Sequence, residues 1–200
     1  MKIVVCGPRL AIEECGLDSF SHCQLVEGVE AFANAGDADG FINLNDDALS
    51  FSYKAGAPVI VNSVTEVLPQ GSSHLYRING WPGFLRREGW EIAGERNEKL
   101  EEILASIGRK AVWVKDEPGL VAARVISMII NEAYFAVEDK VSSREEIDTA
   151  MKLGTGYPYG PFEWASAIGE ERISKLLQLL ALDNERYAPS ILLAGNQSHP

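Results

Sequence analysis

The sequence is poor in the residues that build disulfides and metal sites. Its three cysteines lack CxxC spacing, and an odd number in a chain that opens without a secretory segment predicts reduced thiols. Its three histidines are scattered and none pairs with a second ligand at helical spacing, so we expect no metal site. These residues are Cys6, Cys15, Cys23, His22, His74 and His199.

Long apolar runs and basic residues are also scarce. No run reaches the roughly 18 apolar residues that indicate a membrane helix, and the apolar start is too short for a signal peptide, so we expect a cytoplasmic protein. With 18 basic and 29 acidic residues the formal charge is −11, which argues against nucleic acid or an anionic membrane as a partner. An anionic ligand would need a local cluster such as Arg77, Arg86 and Arg87.

The first half contains short apolar runs bounded by turn residues, which predict strands. They lie at residues 2–7, 23–28, 40–44, 57–64 and 74–79. Residues 27–35 and 46–55 are candidate helices between them. Strands that alternate with helices indicate a parallel sheet, although these connections are too brief for a full doubly wound domain.

After about residue 112 the pattern becomes wholly helical, so we predict two domains, 1–112 and 113–200. A helix over 97–107 leads to this boundary. The segment 120–137 is apolar on nearly every face, which predicts burial on all sides as a core helix or a dimer helix. One apolar stripe marks a helix over 171–182, a last turn follows at 190–193, and the small polar tail is expected to fray.

The stretch Ser143–Trp164 has the clearest local signals. Ser143 and Glu146 form the pattern of a capping box at a helix start. Gly154 is placed for a left-handed helix end, and Pro161 suits the first position of the next helix. Gly160, just before Pro161, is expected in a backbone region open mainly to glycine. On local physics alone, a tight helix–helix corner in any bundle explains this pattern equally well.

The order of residues in this stretch, IDTAMKLGTGYPYGPFEW, resembles the corner in the C-terminal domain of 3-hydroxyacyl-CoA dehydrogenases. DEPGLVAARVISMIINEAYFAVED resembles the first helix of the same domain, so the similarity runs from Val114 to about Leu193. The resemblance implies an α/β region followed by an all-α region: a reduced, Rossmann-like parallel sheet and then a helical domain that pairs as a homodimer. It also implies NAD as cofactor and an acyl-CoA substrate.

The glycines that seat a dinucleotide are mostly missing. The first βα turn should carry three glycines, and this chain has Gly7, Arg9 and Ile12 there. Arg9 puts a side chain where pyrophosphate needs bare backbone, although a guanidinium can itself bind phosphate. Glu27 follows at the spacing of a ribose-binding carboxylate, but a solvated residue at a helix start is the favoured interpretation.

The residues that would move protons are also changed. In the family a histidine removes the hydroxyl proton and a glutamate orients it; the resemblance puts Tyr76 at the histidine position and Glu88 at the glutamate position. Tyrosine is a poor base near neutral pH, because its ordinary pKa is about 10. His74 would share a strand face with Tyr76, either as a displaced base paired with Glu88 or as a surface residue.

The residues that hold the cofactor and substrate are partly kept. Asn62 is retained near the cofactor, and Asn79 and Arg124 are retained near the substrate. Val64 and Ala123 replace the family's serine and asparagine.

Two hypotheses follow. The favoured one is a catalytically impaired relative that keeps a nucleotide or acyl-CoA cleft and a dimer role. The alternative is an active oxidoreductase whose base is His74 or Tyr76 with Glu88.

Overall fold

The computed structural model describes residues 1–46, 48–53 and 56–195, and the chain divides into two compact units. The first is Met1–Leu120 and the second begins at Val121. The predicted boundary after residue 112 falls inside a strand of the first unit, Lys110–Trp113. His199 and the last five residues of the tail that was expected to fray lie outside the described residues.

The first unit is built on a parallel sheet, which confirms the predicted fold class. Its five strands follow the order β2-β1-β3-β4-β5, and all neighbours are parallel. They are β1 (Ile3–Cys6), β2 (Cys23–Leu25), β3 (Gly40–Asn43), β4 (Val59–Asn62) and β5 (Leu75–Ile78). All five lie in the predicted runs, whereas the parallel pair β6 (Gly89–Ile92) and β7 (Lys110–Trp113) was not predicted. An antiparallel bridge between Arg77 and Ala93 joins this pair to β5.

Three helices accompany the sheet: α1 (Arg9–Cys15), α2 (Gly28–Ala33) and α3 (Glu98–Ser106). The predicted helix over 46–55 is wrong for the residues that the structure describes there, which form only a 3-10 turn at Ala48–Ser50. Positions 47, 54 and 55 of that prediction lie outside the described residues. The Tyr53 hydroxyl donates to the carbonyl of Ala48, and Asn45 N donates to the side chain of Asn43. Such side-chain bonds compete with helix formation.

The main core of the first unit lies on one face of the sheet, under α1 and α3. Alternate strand residues contribute Ile3, Val5, Ile42, Ile60, Tyr76 and Ile78, and α3 contributes Leu100, Ile103 and Leu104. Asn97 starts α3 by accepting a bond from Leu100 N at 3.1 Å. The predicted helix over 97–107 is therefore confirmed.

The second unit is helical, as predicted. Its helices are α4 (Ala122–Glu138), α5 (Arg144–Thr155), α6 (Pro161–Ile168), α7 (Glu170–Ala181) and α8 (Ile191–Gly195). Among the described residues, none of the helices is long and apolar enough to cross a membrane. The expectation that 120–137 is buried on every side is wrong for the single chain, because Val121 and Val125 are 51% and 54% exposed and Phe135 is 37% exposed.

The corner between α5 and α6 confirms the capping box but corrects two glycine predictions. Ser143 Oγ accepts from Glu146 N, and the Glu146 carboxylate accepts from Ser143 N, both at 3.3 Å. The left-handed end of α5 is Gly156, with φ of 69°, so Gly154 lies within the helix. Gly160 has an ordinary φ of −73°, so its backbone does not require glycine. Glycine is needed there for a steric reason, because a Cβ would overlap the Asp148 carboxylate.

Candidate functional site

The carboxyl edge of the sheet is the place where the topology favours a ligand. In the sheet, β2 lies on one side of β1 and β3 lies on the other. The connection that leaves β1 and the connection that leaves β3 therefore run in opposite directions across the sheet. In open α/β sheets ligands bind at this switch point. Gly7 follows β1 with φ of 152°, and a Cβ there would lie 2.6 Å from Leu44 Cβ after β3. The strand ends therefore approach closely at Gly7, and a side chain there would clash.

A cleft of about 590 Å³ opens at this switch point, which we call the edge cleft. This volume is in the range of small-molecule sites. Its walls come from the turn after β1, from α1, from the turn into α2 and from Asn45 after β3. The lining residues are Gly7, Arg9, Ile12, Glu13, Asp18, Leu25, Val26, Glu27, Gly28, Val29 and Asn45.

Four charged residues line the edge cleft: the cation Arg9 and the acids Glu13, Asp18 and Glu27. The Arg9 side chain is 90% exposed, and its Nε lies 2.6 Å from Glu13 Oε1. Glu27 precedes α2 without capping it through its side chain, and it is an exposed residue of the cleft lining. The structure thus brings Gly7, Arg9 and Glu27 together. Glu27 is both the residue before a helix, as the sequence indicated, and a wall of the cleft.

Asn62, predicted to bind cofactor, ties together the loops of the sheet edge. It is 2% exposed at the end of β4. Its Nδ2 lies 3.2 Å from Asp46 Oδ1, and its Oδ1 accepts from Gly80 N at 2.9 Å. These bonds join the segments that follow β3 and β5.

Asn79, predicted to bind substrate, is 6% exposed at the end of β5. Its Oδ1 accepts from Trp81 N at 3.1 Å. Its Nδ2 is buried without a hydrogen-bond partner among the described residues. The NH2 group of Asn79 is therefore enclosed and unpaired among the described residues, while the oxygen of the same amide holds the turn.

Tyr76 is fully buried within β5, in the main core. Its hydroxyl donates to the carbonyl of Ser73 at 3.3 Å. Burial raises the pKa of Tyr76 above its ordinary value, and a hydrogen bond from the side chain of Asn97 opposes this shift. A phenol with a raised pKa holds its proton more tightly at neutral pH, so Tyr76 is further from a general base than the sequence alone indicated.

Glu88 and His74 are not brought together. Glu88 is exposed, and its carboxylate lies 2.6 Å from Lys110 Nζ, which lowers the pKa of Glu88. Ala93 pairs with Arg77 of β5 in antiparallel orientation, so the chain before Ala93 runs toward the carboxyl end of β5. Glu88 lies on that side, about 17 Å of extended chain before Ala93. His74 instead precedes the amino end of β5.

The two replaced holding positions are buried and apolar. Val64 is 6% exposed, and its carbonyl accepts from Gly119 N at 2.7 Å. Ala123 is fully buried within α4 of the second unit. Arg124, predicted to contact substrate, packs its guanidinium 5.8 Å from the ring centre of Tyr187 in the same unit.

Two polar features of the first unit differ from what the sequence indicated, and the first removes Arg77 from the suggested cluster for an anionic ligand. Arg77 is fully buried, forms an ion pair with Asp116 and donates to the carbonyls of Ser63 and Val64 at 3.0 and 3.2 Å. One carboxylate oxygen of Glu14 accepts hydrogen bonds from three backbone N–H groups of the loop after β5, those of Gly83, Leu85 and Arg86, at 2.8 to 3.4 Å. A charged residue in the apolar run of β5 was the only sequence signal for the first, and nothing in the sequence marks the second.

Comparison with known proteins identifies the helical unit. The family model for the 3-hydroxyacyl-CoA dehydrogenase C-terminal domain matches residues 119–195. This segment of the chain is therefore similar to the C-terminal domain of the 3-hydroxyacyl-CoA dehydrogenase family. The predicted resemblance is thereby confirmed.

Curated members of the family match about half of this chain. The 3-hydroxyadipyl-CoA dehydrogenase of Escherichia coli is 44% identical over 88 residues, which cover 43% of this chain and 18% of that protein. The 3-hydroxybutyryl-CoA dehydrogenase of Clostridioides difficile is 37% identical over 110 residues, which cover 52% of this chain and 39% of that protein. The chain thus spans well under half the length of these curated relatives.

Solved structures extend the similarity to the sheet. The (S)-3-hydroxybutyryl-CoA dehydrogenase of Ralstonia eutropha aligns with a TM-score of 0.75 at 16% identity, covering 97% of this chain and 92% of that one. At this identity the likeness concerns the fold alone. It confirms a Rossmann-like sheet followed by the family's helical domain.

Proposed function

We propose that this chain is a 3-hydroxyacyl-CoA dehydrogenase-like protein that binds an adenine nucleotide at the edge cleft and has lost efficient hydride transfer. The observation that carries the proposal is Tyr76. The residue at the family's histidine position lies fully buried in the core, with its hydroxyl on the Ser73 carbonyl. General-base assistance is commonly worth about 100- to 10,000-fold in rate, so its loss alone removes most of the activity.

Two further features support the loss of catalysis. Glu88, the retained glutamate, is paired with Lys110 rather than with a histidine. Val64 and Ala123 offer no side-chain hydrogen bond to a substrate hydroxyl or carbonyl. The chain therefore lacks the family's base and two of its holding groups, and its retained glutamate is engaged by Lys110.

The nucleotide proposal rests on the edge cleft. Gly7 leaves room beside Leu44 at the switch point, Glu27 presents a carboxylate suited to ribose hydroxyls, and Arg9 is a cation within the same walls. NAD and coenzyme A both carry an adenosine diphosphate, so the shared chemistry is the adenosine end with its phosphates. Bound there, NAD would supply hydride chemistry, while Glu27 would hold the ribose and Arg9 would approach the phosphates.

The proposal also includes a homodimer, in which the helical units of two copies contact each other. The outer side of α4 exposes Val121, Val125 and Phe135 to solvent in the single chain. These three residues form a stripe at one face of the helix, which also carries the exposed Glu132. Exposed apolar side chains grouped in this way are typical of a surface that a partner covers. A two-fold axis would pair this stripe with its own copy.

Calorimetric titration with NAD, NADP, coenzyme A and acetoacetyl-CoA tests the nucleotide proposal. Glu27→Ala is expected to weaken binding about tenfold or more, because a hydrogen bond to a charged group is worth about 1.5–3 kcal/mol. Glu30→Ala is the matched control: Glu30 is an exposed acid of α2 that does not line the cleft. Absence of binding by all four compounds, or equal losses in both variants, would reject the cleft as a nucleotide site.

A further inference from the structure

The two faces of the main sheet are covered unequally. On one face α1 and α3 bury the main core. On the other face the cover is the six-residue α2 and the segment around the 3-10 turn Ala48–Ser50, with two smaller clusters beneath them. Parallel sheets normally bury both faces under helices. The second face of this sheet is therefore left with an opening between α2 and the segment that contains Tyr53.

This opening is a pocket of about 290 Å³, which we call the aromatic pocket. It lies near the amino ends of β3 and β4, away from the edge cleft at the carboxyl ends. Its lining residues are Phe32, Ala33, Asn34, Gly36, Phe41, Ser52, Tyr53 and Val59.

Three aromatic rings shape the pocket. The Phe32 ring packs edge-on against Phe41, with centroids 5.5 Å apart at 75°, and against Tyr53, at 6.1 Å and 87°. Phe32 is 2% exposed, so the arrangement is anchored in the protein. The Tyr53 hydroxyl donates to the Ala48 carbonyl and accepts from Asn43 Nδ2 at 2.9 Å, which fixes the Tyr53 ring. A further ring fits such a cluster at centroid distances of about 4.5–7 Å.

The charge of the pocket selects its ligand. None of the eight lining side chains that the structure describes is ionised at neutral pH. Placing a charged group in such surroundings costs several kcal/mol without a partner. Asn34 and Ser52 are exposed polar side chains of the lining and can each bond a hydroxyl or an N–H. The volume is at the lower end of the range for ligand sites, which limits the ligand to one or two fused rings.

We propose that the aromatic pocket is a binding site for a small neutral aromatic compound, of the size of a phenol or an indole. The ring lies against Phe32, Phe41 and Tyr53, and its hydroxyl or N–H bonds Asn34 or Ser52. The site has no lining residue in common with the edge cleft, which lies at the other end of α2.

Titration of the whole chain with phenol and with indole, followed by amide NMR spectra, tests this site. We expect saturable shifts in α2 and in the segment around Tyr53 at millimolar ligand. Benzoate, a charged ring of similar size, should bind at least about tenfold more weakly, because its carboxylate loses hydration in the pocket.

Ala33→Leu and Ala31→Leu form a matched pair, since both alanines are exposed on α2 and only Ala33 lines the pocket. Ala33→Leu should weaken phenol and indole binding about tenfold, whereas Ala31→Leu should change it less than about twofold. No saturable binding by the parent chain, equal effects of the two substitutions, or tighter binding of benzoate would overturn the proposal. The proposal would also be overturned if the parent chain were an oligomer that Ala33→Leu dissociates and Ala31→Leu does not. In that case a second copy of the chain would occupy the pocket.

Discussion

Replacing Gly160 by alanine is expected to destabilise the helical unit through one carboxylate. Asp148, on α5, accepts from Phe162 N at 2.8 Å and from Glu163 N at 3.2 Å, so it caps the start of α6. A Cβ at Gly160 would overlap this carboxylate. Loss of a cap costs about 1 kcal/mol and overpacking about 1–3 kcal/mol, which together predict a loss of about 2–4 kcal/mol.

The measurement is urea unfolding followed by circular dichroism at the helical band. Gly154→Ala is the control, because Gly154 lies within α5 and a Cβ there meets nothing within 4 Å. Alanine there should raise stability by up to about 1 kcal/mol through helix propensity. In an Asp148→Ala background, Gly160→Ala should cost much less. The same cost in both backgrounds, or no cost in either, would refute the assignment to Asp148.

Three further predictions concern other parts of the chain. Asp116→Ala should lower stability by about 3 kcal/mol in urea unfolding, because it leaves the guanidinium of Arg77 buried without its partner, and Arg77→Met should cost less. Burial raises the pKa of the Cys6 thiol to about 12 and that of Cys15 to about 11, from 9.0. The folded chain then keeps protons that the unfolded chain releases, so the contribution of these thiols to the free energy of unfolding is complete below pH 9.0 and is lost as pH rises toward 11. Urea unfolding midpoints measured below and above pH 9.0 check this, and an unchanged midpoint would contradict it. Val125→Glu on α4 should turn the proposed dimer into a monomer by light scattering, and a dimer of unchanged strength would exclude this stripe as the interface.

The strands and most helices were predictable because their signals are local. The runs that became β1 to β5 are short, apolar and bounded by turn residues, and the capping box at Ser143 requires only Glu146 three positions later. The pair β6 and β7 was missed because Gly89–Ile92 is short and partly polar, and its partner lies beyond α3. Its pairing depends on contacts that no local pattern encodes.

The candidate site was only partly predictable. The positions of Gly7, Arg9 and Glu27 at one cleft follow from the parallel order of β1, β2 and β3, so sequence reasoning could place them near each other. The separation of His74 from Glu88 depends on the antiparallel bridge between β5 and the chain after β6. That bridge could not be inferred from residue types.

Close approaches between side chains and backbone were the hardest to predict. Gly160 is required because Asp148 fills the space beside it, although its backbone is ordinary. Sequence reasoning named the right glycine for the wrong physical reason. A glycine before a proline at a corner indicates constraint, but only the tertiary position of α5 shows its source.

The most direct test of the central claim is NADH oxidation by the purified chain with acetoacetyl-CoA as substrate. The absorbance of NADH is followed at saturating acetoacetyl-CoA, and an active family member serves as the positive control. We predict no rate above the protein-free background, because the position of the base holds the buried Tyr76 and Glu88 is paired with Lys110. A robust rate that disappears in both His74→Ala and Glu88→Gln would contradict the account and would establish a relocated catalytic pair.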